Sequence, residues 1–350
     1  MEKMKIYIYK GGLSVVSKSG VGSAIRHQEQ MLRETGAPLA ENWKEASVIH
    51  INTVFPDAAF AAYAARKQGK KVVYYGHSTM EDFCDSFIGS NRAAAFFKKW
   101  ICRCYSLGDV ILTPTEYSRR LLTGYGLKPR IYAVTNGVDT GFFHKDAEMG
   151  RAFRRKYRIP DHRKAVISAG HLIPRKGIFD FLKLAAGMPE VLFIWFGGGN
   201  LWAVPPAVKR AIKKKTENVI FAGYVKPEEL KAAYCGADAF AFFSYEETEG
   251  IVVLEALACE IPVIVRDIPV YEDWLKNGVH VYKAGDIEEF RQGLESVFYK
   301  DCSDMTGAGR KLAEEHSIRQ TGLLLNEIYQ MEQLGEGGRQ PCVGKSLRNV

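Results

Sequence analysis

The chain has 350 residues, of which 47% are hydrophobic and 25% charged, and its formal net charge at pH 7 is +8. This length predicts about two domains, and this composition is typical of a folded, water-soluble protein. No apolar run approaches the roughly 20 residues that cross a bilayer, and "MEKMKIYIYKGG" lacks the apolar core of a signal peptide. We therefore expect neither a transmembrane helix nor a secretion signal.

The cysteines indicate the cellular location of the protein, and the charge indicates the class of its partners. Seven cysteines, an odd number without a CxxC pair, indicate reduced thiols and a cytoplasmic location. Residues 1–150 hold 20 Lys and Arg against 14 Asp and Glu, which favours an anionic partner such as nucleic acid, a membrane surface or a phosphorylated substrate. Because no nucleic-acid recognition motif accompanies the charge, we expect no nucleic-acid partner.

Apolar strand patterns alternate with amphipathic helical patterns through the first half of the chain. The predicted strands are 5–9, 48–51, 71–75, 110–113 and 131–134. The predicted helices lie near 21–35, 57–68, 92–106 and 116–123. This alternation predicts βαβ units and a parallel sheet with helices on both faces.

The second half repeats the plan. Its predicted strands are 165–169, 191–196, 219–221, 237–243, 262–265 and 279–282, and its predicted helices lie near 176–186, 227–235, 251–259 and 286–298. Turn residues and a charged helix in 136–163 mark the boundary. We expect two doubly wound, Rossmann-like domains, 1–145 and 146–334, with the last helix able to pack back on the first domain and 335–350 as a disordered tail. Two such domains would bind ligands in a crevice at the carboxyl ends of their strands.

One loop–helix unit, "SYEETEGIVVLEALACEIPVIV" (244–265), combines an anion-binding backbone with carboxylates. A helix is predicted to begin directly after Gly250, so that its first backbone amides face a bound anion. Glu255 lies on the same helix face one turn further, and Glu247 lies in the loop. We expect Glu247 and Glu255 in the functional site, and we interpret Glu246 and Glu249 as solvated loop.

Two segments of the first half supply further candidates. "KSGVGSAIRHQ" (18–28) places Gly20 and Gly22 between a strand and a helix, a weak phosphate-loop signal that a tight turn would also produce. It is no GxGxxG, because Ile25 occupies the third glycine position, so nicotinamide binding loses support. "YYGHSTMEDF" (74–83) places His77 just beyond the third strand, where a histidine can contact a ligand.

The frame "ETEGIVVLEALA" resembles the E-x7-E signature of retaining glycosyltransferases of the GT-B fold, family 4. In that family the first glutamate meets the donor sugar, the second meets the nucleotide ribose, and the amides between them hold the diphosphate. The resemblance implies nucleotide-sugar contacts for Glu247, Gly250, Ile251, Val252 and Glu255. Thr248 and Glu249 stand where many members have Gly-Phe, a departure that bears on donor-sugar selectivity.

Other segments extend the resemblance over nearly the whole chain. "SAGHLIPRKG" (168–177) resembles the basic loop of the family, which implies that Arg175 and Lys176 bind the diphosphate. "NVIFAGYV" (218–225) resembles the nucleotide-base segment, which implies contacts for Tyr224 and Val225. "NGVD" (136–139) resembles the interdomain turn.

The resemblance also implies a reaction. Gly20 and Gly22 would approach the donor and acceptor sugars, and His77 would contact the transferring sugar in a positioning and electrostatic role. No D-x-D and no cluster with metal-ligand spacing is present, so we expect no metal or other cofactor. Arg175 and Lys176, with the helix start, would then neutralise the leaving diphosphate. Retention implies a front-face reaction in which a leaving phosphate oxygen helps take the acceptor's proton.

The segment "RAAAFFKKWICRCYS" (92–106) predicts a basic amphipathic helix. One face carries Phe96, Phe97, Trp100, Ile101, Cys104 and Tyr105, and the other carries Lys98, Lys99 and Arg103. Such a helix can lie in an anionic membrane interface. It can equally be an ordinary helix packed on the sheet with its charges solvated.

Four N-terminal segments, "SKSGVGSAIRHQ", "VIHINT", "GHSTMEDFCDSFIGSN" and "ILTPTEYSRRLL", resemble Gram-positive enzymes that add a second hexose to monoglucosyl-diacylglycerol, the anchor of lipoteichoic acid. This implies transfer of an α-galactosyl or α-glucosyl group from UDP-galactose or UDP-glucose to a membrane glycolipid at the cytoplasmic face. A related transferase with a soluble or polyprenyl-linked acceptor is the alternative. A catalytically silent nucleotide-sugar-binding protein is a third, which retention of the candidate residues argues against.

Overall fold

Two parallel β-sheets packed with helices form the part of the chain that the structure describes. The computed structural model describes residues 4–13, 19–87, 89–198 and 204–333. Within these ranges the chain divides into two units. The first holds the chain up to Met80, Ala93–Val138 and the part from Glu315 onward, and the second holds Glu81–Arg92 and Asp139–Glu314. The predicted α/β class with two parallel sheets is confirmed.

The sheet of the first unit has the strand order β1-β2-β3-β4-β5, with all neighbours parallel. Its strands are β1 Ile6–Tyr9, β2 Val48–Ile51, β3 Lys71–Tyr75, β4 Val110–Thr113 and β5 Arg130–Ala133. The helices of this stretch are α1 Gly20–Glu34, α2 Pro56–Lys67, α3 Met80–Phe83, α4 Ser90–Tyr105 and α5 Glu116–Gly124. β2 and β4 are buried along their whole length, because helices cover both faces.

The sheet of the second unit has the order β11-β10-β9-β6-β7-β8, again parallel. Its strands are β6 Ala165–Ala169, β7 Leu192–Phe196, β8 Val219–Gly223, β9 Ala239–Phe242, β10 Val263–Arg266 and β11 Tyr282–Ala284. The helices are α6 Ala147–Lys156, α7 Ile178–Ala186, α8 Pro206–Lys213, α9 Pro227–Gly236, α10 Ile251–Ala258, α11 Ile287–Tyr299, α12 Ser303–Glu315 and α13 Ile318–Gln333. The strand order reverses between β6 and β9, which is where open parallel sheets bind ligands.

The last helix, α13, packs in the first unit although it follows the second in sequence. Leu325 and Ile328 of α13 share a buried cluster with Ile25 and Leu32 of α1 on one face of the first sheet. Residues of α2 and α4 form the cluster on the opposite face. Both faces of this sheet are therefore covered by apolar side chains.

Four elements differ from expectation. The strand predicted at 279–282 is found at Tyr282–Ala284, because the amide of Gly278 bonds the carbonyl of Val281 and closes a turn over most of the apolar run. Three helices, α3, α8 and α12, were not expected. The segment 335–350, predicted to be a disordered tail, lies outside the described residues. Within the described ranges, no helix is both long and apolar enough to span a bilayer.

Candidate functional site

The candidate site of the second unit forms where β6 and β9, neighbours in the sheet, end at the same edge. A short 3-10 helix, Pro174–Lys176, follows β6, and the loop that carries Glu247 follows β9. The Nζ of Lys176 forms an ion pair with Oε1 of Glu247; Glu247 is buried and Lys176 is half-buried, with 13% of its side chain exposed. The strand order thus joins two predicted residues that lie 71 positions apart.

Gly177 allows the two loops to approach so closely. Its backbone has a φ of 73°, in the left-handed region that favours glycine. A Cβ at this position would collide with the backbone carbonyl of Phe243, which directly follows β9. Any larger residue at 177 would push the turn that carries Arg175 and Lys176 away from the Glu247 loop.

The Lys176–Glu247 pair shapes the charge of the site. Burial alone would raise the pKa of Glu247, but the cations of Lys176 and Arg175 outweigh it, so that the pKa is lowered. Burial lowers the pKa of Lys176, and the Glu247 carboxylate opposes that shift. Glu247 is therefore a carboxylate at neutral pH, and any anion that binds Lys176 must compete with it.

Arg175 has its own carboxylate partner. Its Nη1 donates to the carbonyl of Glu246 at 2.6 Å and lies 2.7 Å from Oδ1 of Asp82, while its Nε donates to Oγ of Ser86 at 3.1 Å. Burial raises the pKa of Asp82, and Arg175 opposes that shift. Asp82 was not among the predicted site residues; the only signal for it in the sequence is an acidic side chain in "MEDF" (80–83), five positions after His77.

The start of α10 matches the predicted anion-binding position. The helix begins at Ile251, and Gly250, its N-cap residue, has a φ of 92°. Because glycine has no side chain, it supplies no cap to the first-turn amides, which include those of Ile251 and Val252. Both of these residues are half-buried. The predicted loop-to-helix unit is confirmed, and its first turn can donate hydrogen bonds to an anion.

Two further glutamates of this segment are buried. Oε2 of Glu255 accepts a hydrogen bond from the hydroxyl of Tyr234 in α9, at 3.2 Å. Glu249 is only 3% exposed, so its interpretation as solvated loop is wrong. Glu246 is half-buried. The burial of Glu249 comes from the folded structure and cannot be read from the spacing of residues in the sequence.

Arg266, the last residue of β10, contacts the start of the loop that carries Glu247. Its Nε donates to the carbonyl of Phe243 at 3.1 Å, and its Nη2 pairs with Oδ2 of Asp180 in α7. The hydroxyl of Tyr245 donates to the same Asp180 oxygen, and the guanidinium lies 3.9 Å from the centre of the Tyr245 ring. This network fixes the start of the Glu247 loop.

His77 lies in the first unit, directly after β3, and is buried. Its ring stacks on Tyr75 at 4.2 Å between centroids, and its Nε2 lies 2.9 Å from Oδ1 of Asn52. Burial, with a smaller effect of His50, lowers the pKa of His77 to about 3. The neutral ring therefore donates from Nε2 to Asn52 and keeps Nδ1 as an acceptor.

The remaining predicted contacts lie in two places, at the start of α1 and after β8. α1 begins at Gly20, so Gly20 and the buried Gly22 form the first turn of the helix and do not precede it; residues 14–18 lie outside the description. Tyr224 is exposed and Val225 half-buried just after β8. Within the described residues, no group of three or more His, Cys, Asp or Glu could hold a metal ion.

The predicted interfacial helix, α4, directs most of its apolar face into the first unit. Ile101, Cys104 and Tyr105 are buried, and Phe97 and Trp100 pack against the same cluster. Phe96, which the helical wheel placed on that face, is 75% exposed. Lys99 and Arg103 are exposed, whereas Lys98 is half-buried with its Nζ 4.2 Å from the centre of the Tyr125 ring.

Family models match both halves of the chain. Residues 22–142 match the model described as "Glycosyltransferase Family 4", and residues 150–311 match "Glycosyl transferases group 1". The chain is 38% identical over 331 residues to the processive diacylglycerol alpha-glucosyltransferase of Acholeplasma laidlawii, with 93% of this chain and 98% of the relative covered. It is 26% identical over 341 residues to the alpha-galactosylglucosyldiacylglycerol synthase of Streptococcus pneumoniae (strain ATCC BAA-255 / R6), with coverage of 91% and 89%.

Solved structures share the fold. A sucrose-phosphate synthase from Thermosynechococcus elongatus superimposes with a TM-score of 0.80 at 15% identity, over 95% of this chain and 100% of that chain. Anabaena Alr3699/HepE in complex with UDP-glucose superimposes with a TM-score of 0.71 at 16% identity and the same coverage. These likenesses confirm the expected GT-B fold.

Proposed function

This chain belongs to the group 1 and family 4 glycosyltransferases, and from that premise we propose that it transfers a hexosyl group from a UDP-sugar to a diacylglycerol glycolipid. The acceptor we propose is glucosyl-diacylglycerol, to which the enzyme adds a second hexose with retention, in synthesis of a glycolipid anchor. The names of the two relatives, one a diacylglycerol alpha-glucosyltransferase and one a galactosylglucosyldiacylglycerol synthase, support this acceptor class.

The observation that carries the proposal is the ion pair of the half-buried Lys176 with the buried Glu247, at the edge of the second sheet where open parallel sheets bind ligands. A lone carboxylate there would repel a diphosphate, and a lone buried cation would be costly. Together with Arg175 and the first turn of α10, the pair offers two cations and backbone donors to a diphosphate. Glu247 is thereby free to accept hydrogen bonds from the hydroxyls of the sugar.

The other donor contacts follow from position. Glu255 is assigned to the ribose hydroxyls, since its side chain lies one helical turn beyond the start of α10. Tyr224 and Val225, directly after β8, are assigned to the base. Gly20 and Gly22 at the start of α1 are assigned to the approach of the sugars, where the absence of side chains gives room.

The chemical step needs no covalent enzyme intermediate in this proposal. The acceptor hydroxyl attacks C1 of the hexosyl group from the side on which the diphosphate leaves, the bond from C1 to the phosphate oxygen breaks, and that oxygen takes the acceptor's proton. Arg175 and Lys176 neutralise the charge that develops on the leaving diphosphate, without a metal. His77, neutral and fixed by Asn52, positions the transferring sugar through its Nδ1 acceptor.

We also propose that the enzyme binds the cytoplasmic face of an anionic membrane through α4 and its neighbour α2. The indole Nε1 of Trp100 in α4 donates to the carbonyl of Val54, just before α2, at 2.6 Å. Phe60 of α2 and Phe96 of α4 are 72% and 75% exposed. Exposed aromatic rings beside basic residues such as Arg103 suit an interface of acyl chains and anionic headgroups.

Product analysis tests the reaction. The protein would be given UDP-glucose and UDP-galactose in competition, with glucosyl-diacylglycerol in mixed micelles, and the products identified by mass spectrometry and by NMR of the anomeric linkage. We expect a dihexosyl-diacylglycerol with an α-linkage. Glu247→Gln would serve as the inactive control, and an inverted linkage or product formation by this variant at the wild-type rate would contradict the proposal.

Separate acceptors distinguish the alternatives. Diacylglycerol alone would test a second candidate, a processive enzyme that adds both hexoses, which the relative at 38% identity favours. A soluble glucoside and a polyprenyl-linked glycan would test the other acceptor classes. Turnover on only these last two would contradict the glycolipid acceptor, and UDP-sugar binding without turnover on any acceptor would indicate a catalytically silent protein.

A further inference from the structure

Tyr271 is buried at the candidate site and has no part in the reaction proposed for it. It ends a short 3-10 helix, Pro269–Tyr271, that follows β10, and its exposed fraction is 0%. Its backbone is well bonded: the amide donates to the carbonyl of Ile268 at 3.0 Å, and the carbonyl accepts from Lys283 at 3.1 Å. Among the residues that the structure describes, its hydroxyl has no hydrogen-bond partner. A buried hydroxyl in this state is unusual, because burial removes its bonds to water.

The hydroxyl lies at the start of α10. A Cβ placed on Gly250 would be 2.9 Å from the Tyr271 oxygen and 3.4 Å from the ring of Phe242. The same Phe242 ring lies under Lys176, whose Nζ is 5.6 Å from the ring centre. Tyr271 therefore lies, in the 3-10 helix after β10, near the edge of the sheet at which Lys176 and Glu247 meet.

The surroundings favour a neutral ligand group over an anion. Burial, followed by the nearby carboxylates of Glu247, Glu249 and Glu246, raises the pKa of Tyr271 far above its usual range, so the phenol keeps its hydrogen at neutral pH. An anionic oxygen beside the phenol would be repelled by these carboxylates, so the diphosphate is assigned to Arg175, Lys176 and the first-turn amides of α10 and not to this hydroxyl. A sugar hydroxyl would not be repelled, because it can accept from the phenol and donate to a carboxylate.

We propose that the Tyr271 hydroxyl donates a hydrogen bond to a hydroxyl of the donor's hexosyl group, which in turn donates to a glutamate of the Glu247 loop. This inference rests on the proposed function. It assigns to Tyr271 recognition of the sugar and not of the nucleotide. It also accounts for a buried hydroxyl that is unpaired among the described residues, since polar groups without a protein partner at a binding site await a ligand.

The test compares the affinities of two ligands that differ only in the hexosyl group. Calorimetry without acceptor would measure the Kd of UDP and of UDP-glucose and UDP-galactose for the wild type and for Tyr271→Phe. We expect the variant to bind both UDP-hexoses about five- to tenfold more weakly and UDP within twofold of the wild type. The Tm of the variant should rise, because the substitution removes a buried hydroxyl that has no hydrogen-bond partner among the described residues.

Two other tyrosines provide controls. Tyr234→Phe removes the hydroxyl that bonds Glu255, so it should weaken UDP and UDP-hexoses alike. Tyr299→Phe, at a ring that is exposed on α11, should change neither affinity.

Each other outcome contradicts the inference. Equal weakening of UDP and UDP-hexoses by Tyr271→Phe would place its hydroxyl at the nucleotide, and unchanged affinity for all three would show that no hydrogen bond forms. A wild type that binds none of the ligands would overturn the proposed function itself, so the two failures are distinguishable.

Discussion

In the second unit the residues of the candidate site are charged and paired, whereas in the first unit the candidate residue, His77, is neutral and held by hydrogen bonds and stacking. Lys176 pairs with Glu247, and Arg175 with Asp82. His77 bonds Asn52 and stacks on Tyr75, with its pKa lowered to about 3. The contrast matches two tasks, since a diphosphate needs cations and a sugar hydroxyl needs a fixed neutral acceptor.

The two units also differ in the contacts that hold their candidate residues in place before any substrate binds. The cations of the second unit are already occupied by carboxylates, so the donor must replace one set of charged contacts by another. The imidazole of the first unit has no charge to exchange. Substitutions that remove a charge should therefore affect binding and turnover mainly at the site of the second unit. A change of pH near neutrality should affect the free energy of unfolding mainly through the buried histidine of the first unit.

The largest expected effect is loss of turnover in Glu247→Gln. The substitution removes the charge that pairs with Lys176 and that meets the sugar in the proposed reaction. We expect kcat to fall about a hundredfold or more, with UDP affinity changed much less. Initial rates beside calorimetry would measure both. In Glu246→Gln, an adjacent control, turnover should stay within a fewfold of the wild type. Full turnover in Glu247→Gln would remove the functional distinction between the paired site and the neutral one.

Substitution of Arg175 should mainly weaken the binding of UDP. Arg175→Ala removes a guanidinium that makes charged contacts with Asp82 and donates to two further oxygens, and we expect UDP to bind about 10- to 100-fold more weakly. Glu255→Gln should weaken UDP in the same direction. Arg175→Lys keeps the charge but not the planar fork, so it should recover only part of the loss. Asp82→Asn should not weaken UDP, because it removes a competing carboxylate; weaker binding in Asp82→Asn would show that this pair positions Arg175.

A third prediction concerns the basic surface of the first unit. Lys99→Gln combined with Arg103→Gln should weaken binding to anionic vesicles about thirtyfold, since each basic residue near such a surface contributes about 1 kcal/mol. Co-sedimentation with vesicles would measure it. Higher salt should mimic the change in the wild type, because the attraction is screened within about 10 Å at 0.1 M.

The control for that surface removes the same charge elsewhere. Lys213→Gln with Lys214→Gln changes two exposed lysines of the second unit and should leave vesicle binding nearly unchanged. Adding Lys98→Gln to the first pair should contribute less than either change, since Lys98 is half-buried against Tyr125. Equal vesicle binding by both double variants would return α4 to the role of a scaffold helix.

Acidification should separate the two units. A histidine whose folded pKa is about 3 and whose unfolded pKa is about 6.5 binds fewer protons in the folded state, so its contribution to stability falls as pH drops below 6.5. At pH 5.5 the loss is about 1.4 kcal/mol. Glu247, whose pKa is lowered, loses its contribution only as pH falls through and below the usual range of a glutamate.

Urea unfolding at pH 7 and pH 5.5 would check this. Between these two pH values the free energy of unfolding of His77→Gln should change less than that of the wild type by about that amount. His50, which burial also gives a pKa of about 3, should behave alike in His50→Gln. Identical pH dependence in wild type and His77→Gln would show that His77 is charged or accessible in the folded protein, and would erase the contrast between the units.

The sequence predicted which residues form the second unit's site, but it did not predict the ion pairs and hydrogen bonds between them. Lys176, Gly250 and Glu247 could be placed because apolar strands bounded the loops that carry them, and parallel strands end at one edge. Asp82 could not be paired with Arg175, because 93 positions separate them and no local pattern marks a long-range ion pair. Tyr271 stood in no recognisable motif.

Hydrophobic periodicity likewise predicted where helices lie, but it did not predict which of their side chains are buried. It placed α4 within two residues of its observed start, yet it assigned Phe96 and Phe97 to one apolar face. Consecutive residues lie about 100° apart around a helix, and only Phe97 packs against the buried cluster. Glu249 was interpreted as solvated because glutamates usually are. Its burial, at 3% exposure, is a property of the folded loop that the local sequence does not show.

The smallest expected effect is that of metal removal. The proposed site holds its positive charge in Arg175, Lys176 and the first turn of α10, so a divalent ion is not needed to neutralise the leaving diphosphate. We expect rates in excess EDTA within twofold of those with Mg²⁺. The same glycolipid micelles would be used in both conditions. A vesicle-binding measurement in EDTA and in Mg²⁺ would show whether divalent ions act through the lipid. Loss of turnover in EDTA that only divalent ions restore would mean that the paired cations do not suffice, and the charged unit would then share its task with a metal.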